Sequence, residues 1–314
     1  MSEHKWVRSS LAYLSRRLSA VGHVVSAPTV GRVLRRLDYG LHGNTKQVAG
    51  SAQPPDRDAQ FTYLQTQRQA FIAAGQPVIS VDTKKKELLG NFKNAGRTWS
   101  QSGEAVNTHD FPSEATGRAV PYGIYDLIHN RGSVYVGLSA DTPRFAVEVV
   151  AHWWQDAGRT AFPGASELLI LADAGGSNSA RARVWKHQLQ EQVCDRFGLS
   201  VTVGHYPTGC SKWNPIEHRL FGPISSNWAG QPLRTVETML GHPRGTTTAT
   251  GLQVRAERQA GEYPLGEKVS AQAMASLHLT RPATCPAWNY TLTPRTRAIV
   301  TADPSAAEPE LISL

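Results

Sequence analysis

The chain has 314 residues, of which 40% are hydrophobic and 18% charged, a globular composition that excludes wholesale disorder. Its three cysteines, Cys194, Cys210 and Cys285, form no C-x-x-C pair, which argues against a disulfide framework and a structural zinc site. No run approaches the roughly 18 to 20 apolar residues of a membrane span and no signal-peptide pattern opens the chain, so a soluble, cytoplasmic protein with no membrane partner is expected. The formal net charge is +8, and it is uneven: residues 1–50 hold eight basic residues against two acidic ones. A basic module on a nearly neutral body points to a polyanion partner, most simply DNA. A solubilising basic surface is the plainer alternative.

In chain order, residues 9–20 place Leu11, Leu14 and Leu18 on one helical face. Past Gly22, Ser26 can cap a second helix with Pro28 in its first turn. That helix buries Val30, Val33, Leu34 and Leu37 and shows Thr29, Arg32, Arg35 and Arg36 on its other face. Two short amphipathic helices around a glycine turn, the second of them basic, fit a helix-turn-helix over residues 1–42. Any helical hairpin with a solvated basic face gives the same pattern. The polar stretch HGNTKQVAGSAQPPD marks a linker at 43–58.

From 59 to 300 a larger α/β domain is expected. Gln60–Ala74 reads as a helix and VISVD (78–82) as a buried strand; a second strand lies among the loops of 92–130. SVYVGLS (133–139) is a strand, Pro143–Asp156 an apolar helix and LLILAD (168–173) a strand. Ser179–Phe197 is a helix and SVTVGHY (200–206) a strand. NPIEHRLF opens a further helix, capped by Asn214 and ended or kinked by Pro223. Residues 301–314 read as a flexible tail. This order predicts a mixed sheet flanked by helices.

Two of these strands end on aspartates, Asp82 and Asp173, and Glu217 lies one turn into the helix after the last strand. A carboxylate directly after an apolar strand is costly to bury without a cation or hydrogen-bond donors. Any one of the three fits a capped strand-to-loop turn. Three on successive elements supply hard oxygen ligands for two Mg²⁺ or Mn²⁺ ions and hence metal-dependent phosphoryl transfer.

The segments VISVDTKKKELLGNFKNAGRTW, DFPSEATGRAVPYGIYDL, LLILADAGGSNSARARVWK, GCSKWNPIEHRLFGPISSNWAG and WNYTLTP closely resemble the ISAzo13-type DDE transposases of bacterial insertion sequences. The resemblance implies an RNase H-like catalytic core behind the helix-turn-helix. It places an Asp-Asp-Glu triad on Asp82, Asp173 and Glu217. It also implies two metal ions, cleavage at the terminal inverted repeats and strand transfer into target DNA by a homo-oligomer associated with the bacterial nucleoid. A nuclease of the same core without strand transfer, or an inactive DNA-binding copy, are the alternatives. Relatives carry a further helical segment upstream, so a shortened N-terminus is expected, and Cys210 stands where a threonine would be.

Around the triad, Lys84, Lys85 and Lys86 leave the first acid-bearing strand, and Lys212 and Arg219 flank Glu217; all five are candidate DNA-phosphate contacts or plain solvated cations. Ser177 and Asn178, after a double glycine, are candidates to hold a phosphate or orient Asp173. His218 reads as a supporting or surface residue. Trp153, Trp154 and Trp185 read as core, and Trp213 and Trp228 as possible stacking platforms.

Overall fold

Serine caps begin both N-terminal helices in the computed structural model, which describes residues 9–41 and 56–295. Contacts divide the chain into one unit within residues 1–51 and another within 52–314. In the first, Ser10 accepts from the Tyr13 N–H at the head of α1 (Leu11–Ala20), and Ser26 from the Thr29 N–H at the head of α2 (Ala27–Arg36). Gly22 makes the turn between them at φ +90°, a backbone that favours glycine. Leu11 lies 3.1 Å from where a Cβ on Gly31 would stand, so a small residue is needed there. Val30 is buried and Leu34 half-buried, but Val33 and Leu37 are 48% and 61% exposed, against expectation. A pair of ten-residue helices covers only the stripe that the two share. Arg32, Arg35 and Arg36 are exposed, and Arg32 donates to the Thr29 hydroxyl at 3.0 Å.

The linker expected at 43–58 lies outside the described residues except for its last three, two of which already belong to α3 (Arg57–Ala73). The tail at 301–314 also lies outside them. After α3 come β1 (Val78–Thr83), β2 (Glu87–Leu89), β3 (Gly117–Asp126) and β4 (Arg131–Gly137). Then α4 (Pro143–Trp153) passes through a π turn into α5 (Arg159–Ala161), followed by β5 (Glu167–Asp173), α6 (Arg183–Leu189) and β6 (Ser200–Tyr206). The C-terminal part adds α7 (Gly222–Asn227), α8 (Val236–Arg244), β7 (Gln253–Arg258), α9 (Ala271–Ala275), β8 (Leu279–Thr280) and β9 (Asn289–Leu292).

The strands form one mixed sheet in the order β7-β4-β3-β1-β5-β6-β9-β8, with β2 paired to β3. β1, β5 and β6 run parallel, while β3 is antiparallel to β1. Strand alternation sends Ile79, Val81, Ile170 and Val203 to one face, where they pack with Phe145, Val149, Trp153, Trp154, Trp185 and Leu189 from α4, α6 and the first π turn. Val78, Leu169 and Leu171 face the other way, onto Leu64 and Phe71 of α3. Further along that second face, Tyr125, Val134 and Ala256 meet Leu220, Ile224, Trp228, Met239 and Leu240. The expected mixed sheet flanked by helices is therefore present.

Two details differ from expectation. The helix containing Pro223 does not stop there but continues to Asn227. A π turn, Glu217–Phe221, precedes it and widens the backbone where a regular turn would meet the pyrrolidine ring. Gln60, read only as the start of a helix, is fully buried: it donates to the His205 carbonyl at 2.7 Å and exchanges amide hydrogen bonds with Asn289.

Candidate active site

β1 and β5 are parallel neighbours with Val81 opposite Ala172, so the next residues, Asp82 one short of the end of β1 and Asp173 at the end of β5, come out at the same end of the sheet. After β6 a 3₁₀ turn, Ser211–Trp213, leads to the helical segment whose π turn begins at Glu217. Glu217 stands close enough to Asp82 and Asp173 for its charge to raise both carboxyls. Burial pushes the Asp82 carboxyl up to about 8; the charges of Asp173 and Glu217 add to the rise, and the Thr83 N–H, donating at 2.7 Å, opposes it. Asp173 is raised chiefly by burial, against the pull of the Asn214 amide.

Asn214 is fully buried, and its side chain does not cap the helix as expected. Its Nδ2 donates to Asp173 Oδ1 at 3.1 Å, and its Oδ1 accepts from the Ser80 hydroxyl. Ser80 in turn accepts from the Ile216 N–H at 3.1 Å. One buried amide thereby links β1, β5 and the helix that carries Glu217. The helix can lie this close because β3 has Gly123 opposite Asp82: a Cβ there would come within 2.5 Å of Phe221 and 2.9 Å of Ile216.

Asp82 and Asp173 line a cleft of 1090 Å³ together with Thr83, Lys84, Lys85, Lys86 and the Gly175–Ser177 turn. Glu217 meets Asp82 from the helix side and is not part of that wall. Gly176 takes φ +68°, so the double glycine does make the tight turn. Asn178 is buried and accepts from the Tyr122 hydroxyl at 2.6 Å, which turns it away from any phosphate. Ser177 stays on the cleft, 3.3 Å from the Thr83 hydroxyl.

The five basic candidates are placed differently from one another. Lys84 lies 4.2 Å from the Trp228 ring centroid and 3.8 Å from Glu87, and burial lowers its pKa. Lys85 is exposed, and Lys86 reaches Asp141 at 3.3 Å. Lys212 and Arg219 are exposed but do not line the cleft; Lys212 covers the Trp213 ring at 5.3 Å. His218 contacts the Lys212 carbonyl. Trp228 is 3% exposed and is core rather than a stacking platform, whereas Trp213 is 53% exposed. Cys210 is buried.

Sequence reading missed Asp141, a third carboxylate on the cleft, which accepts from the Thr83 hydroxyl at 3.1 Å. Standing just before a Thr-Pro helix start, it carried no signal beyond that of a loop residue. Among the described residues, His152, Asp156 and Glu257 are the group whose ligand atoms all lie within 4.8 Å; Asp82, Asp173 and Glu217 are spread more widely. No described helix is long and apolar enough to cross a membrane.

The family model described as the Rhodopirellula transposase DDE domain matches residues 1–294. The chain belongs to this ISAzo13-type DDE transposase family. It is accordingly a transposase, an enzyme of the polynucleotidyl-transferase type, and its mixed sheet is the RNase H-like core of that family. No curated protein matches the chain. Among solved structures it is similar to a Mos1 transposase paired-end complex with the left transposon end, at 14% identity, 76% of this chain, 71% of that one and a TM-score of 0.43. The Mos1 strand transfer complex matches at 14% identity over 73% and 63% of the two chains, TM-score 0.44. The mariner Mos1 paired end complex with Mg matches at 14% over 76% and 71%, TM-score 0.42. Likeness at this level assigns no residue.

Proposed function

We propose that the chain cuts DNA at the ends of its insertion sequence and joins the freed ends to target DNA, with Asp82, Asp173 and Glu217 as the catalytic triad. The observation that carries this reading is the convergence of the three acids from β1, β5 and the helix after β6, with Asp82 driven up to about 8 by burial and by the other two carboxylates. Such an accumulation of partly buried negative charge calls for cations, and its all-oxygen donor set suits Mg²⁺ or Mn²⁺.

The residues fit two such ions. Asp82 and Asp173 would share them and Glu217 would complete one shell; the ions would activate the attacking oxygen and stabilise the leaving one. The chain's own groups do the positioning. Asn214 orients Asp173 through its amide, the Thr83 N–H fixes one Asp82 oxygen, and Lys85 and Lys86 bring positive charge to the phosphate being attacked. Water attacks first and exposes a 3′-hydroxyl; that hydroxyl then attacks a target phosphodiester in line, without a covalent enzyme intermediate. The basic face of α2, Thr29 with Arg32, Arg35 and Arg36, binds the terminal repeats, with Lys84, Lys212 and Arg219 as further DNA contacts. Two ends must be held together, so the active form on DNA is a homo-oligomer.

The test uses labelled DNA carrying the inverted repeats that flank the gene, with Mg²⁺ or Mn²⁺ against EDTA and wild type against Asp173→Ala. Metal-dependent cleavage and joined products, both abolished in the variant, are expected. Cleavage without joining would reduce the reading to a nuclease, and binding without chemistry to a regulator or inactive copy.

A further inference from the structure

Next to the cleft lies a second depression of 770 Å³, lined by Arg181, Arg183, Lys186 and Arg281 with no aspartate or glutamate in its wall. Ala180, Arg181 and Ala287 line both, so the two hollows adjoin. The four cations come from distant parts of the sequence, three from the approach to and first turns of α6 and one from just after β8. None of the four has a carboxylate partner among the described residues, whereas nearby Arg144 is clasped by Glu267 at 2.6 Å. Lys186 is 5% exposed, donates to the Ala180 carbonyl and sits 5.3 Å from the Tyr290 ring centroid. Burial and the charge of Arg281 pull its pKa down to about 8. Gathering four like charges without acids costs free energy that a polyanion would recover.

We infer that this depression is the track along which the backbone of a DNA duplex leaves the catalytic cleft, with Arg181, Arg183 and Arg281 on successive phosphates and Lys186 at its floor. The inference rests on the transposase reading for its ligand, but its residues lie outside the triad and outside α2. Phosphate contacts of this kind carry affinity and register rather than sequence preference.

Binding of the full chain to a fluorescently labelled duplex of arbitrary sequence, measured in EDTA across a range of salt, tests it. Each phosphate contact contributes about 0.9 to the slope of log K against log salt. The double variant Arg183→Gln/Arg281→Gln should therefore flatten the slope by about 2. The charge-preserving pair Arg183→Lys/Arg281→Lys should restore it. Arg159→Gln/Arg196→Gln, which loses the same charge at residues lining neither hollow, should leave it unchanged. An unchanged slope in the first variant, or an equal loss in the control, overturns the track while leaving the triad untouched. A wild-type chain that ignores the duplex at low salt overturns the track and the transposase reading together. Normal metal-dependent cleavage by a variant with the flattened slope would support both.

Discussion

Asp82 shows how far one side chain is held from its solution behaviour. An aspartate in the unfolded chain titrates near 3.9, and in the fold it is pushed up to about 8. Between those values the folded state holds more protons than the unfolded one, so stability falls as pH rises through the window. Asp82→Asn removes the titration while keeping an oxygen to accept from the Thr83 N–H. In EDTA the melting temperature of the variant should exceed that of wild type at about pH 8.5, and the two should converge toward about pH 4; a pH-independent gap would show that the carboxyl is not confined as described. Asp82 and Asp173 were legible because a carboxylate closing an apolar strand stands out. Asn214 was legible only as a cap: Asn before Pro carries that signal, and nothing local reveals that its amide reaches a residue 41 positions away. Asp141 had no signal at all, since its partners Thr83 and Lys86 arrive through the sheet.

Among the elements, the helix bearing Glu217 depends most on its neighbours. It rests on β3 at Gly123, where an added methyl meets the buried Phe221 ring and Ile216, neither of which has free space beside it. Gly123→Ala should destabilise the fold by about 1–3 kcal/mol, the usual range for overpacking, and should lower cleavage more than it lowers DNA binding, because the displaced group is Glu217. Urea unfolding and the cleavage assay check this, and a stable variant with full activity would refute the close approach. The central strands β1, β5 and β6 were readable as unbroken apolar runs. β3 was seen only vaguely because Gly117, Pro121 and Gly123 interrupt it. β7, β8 and β9 went unread: β7 is an edge strand with one buried residue in six, and the other two are four residues or shorter.

For the molecule as a whole, the excess of positive charge is concentrated in the N-terminal fifty residues, and the acids proposed as the triad lie in the larger unit. Binding and chemistry should therefore separate. The triple variant Arg32→Ala/Arg35→Ala/Arg36→Ala should flatten the salt dependence of duplex binding by up to about 2.7. The rise in melting temperature produced by Mg²⁺ should persist in it. Loss of that Mg²⁺ response would mean that the two units are not energetically separable.

The union of β9 with the rest of the sheet has a consequence for biosynthesis. β9 covers the open edge of β6, Asn289 satisfies the buried amide of Gln60 across 229 positions, and Ala287 and Trp288 complete the cleft wall. A nascent chain still short of these residues has an uncovered β6, an unmatched amide under α3 and an incomplete cleft. The three acids are all translated by residue 217, yet the site that holds them is finished only some seventy residues later. A fragment ending before β9 would therefore carry all three acids in an unfinished site.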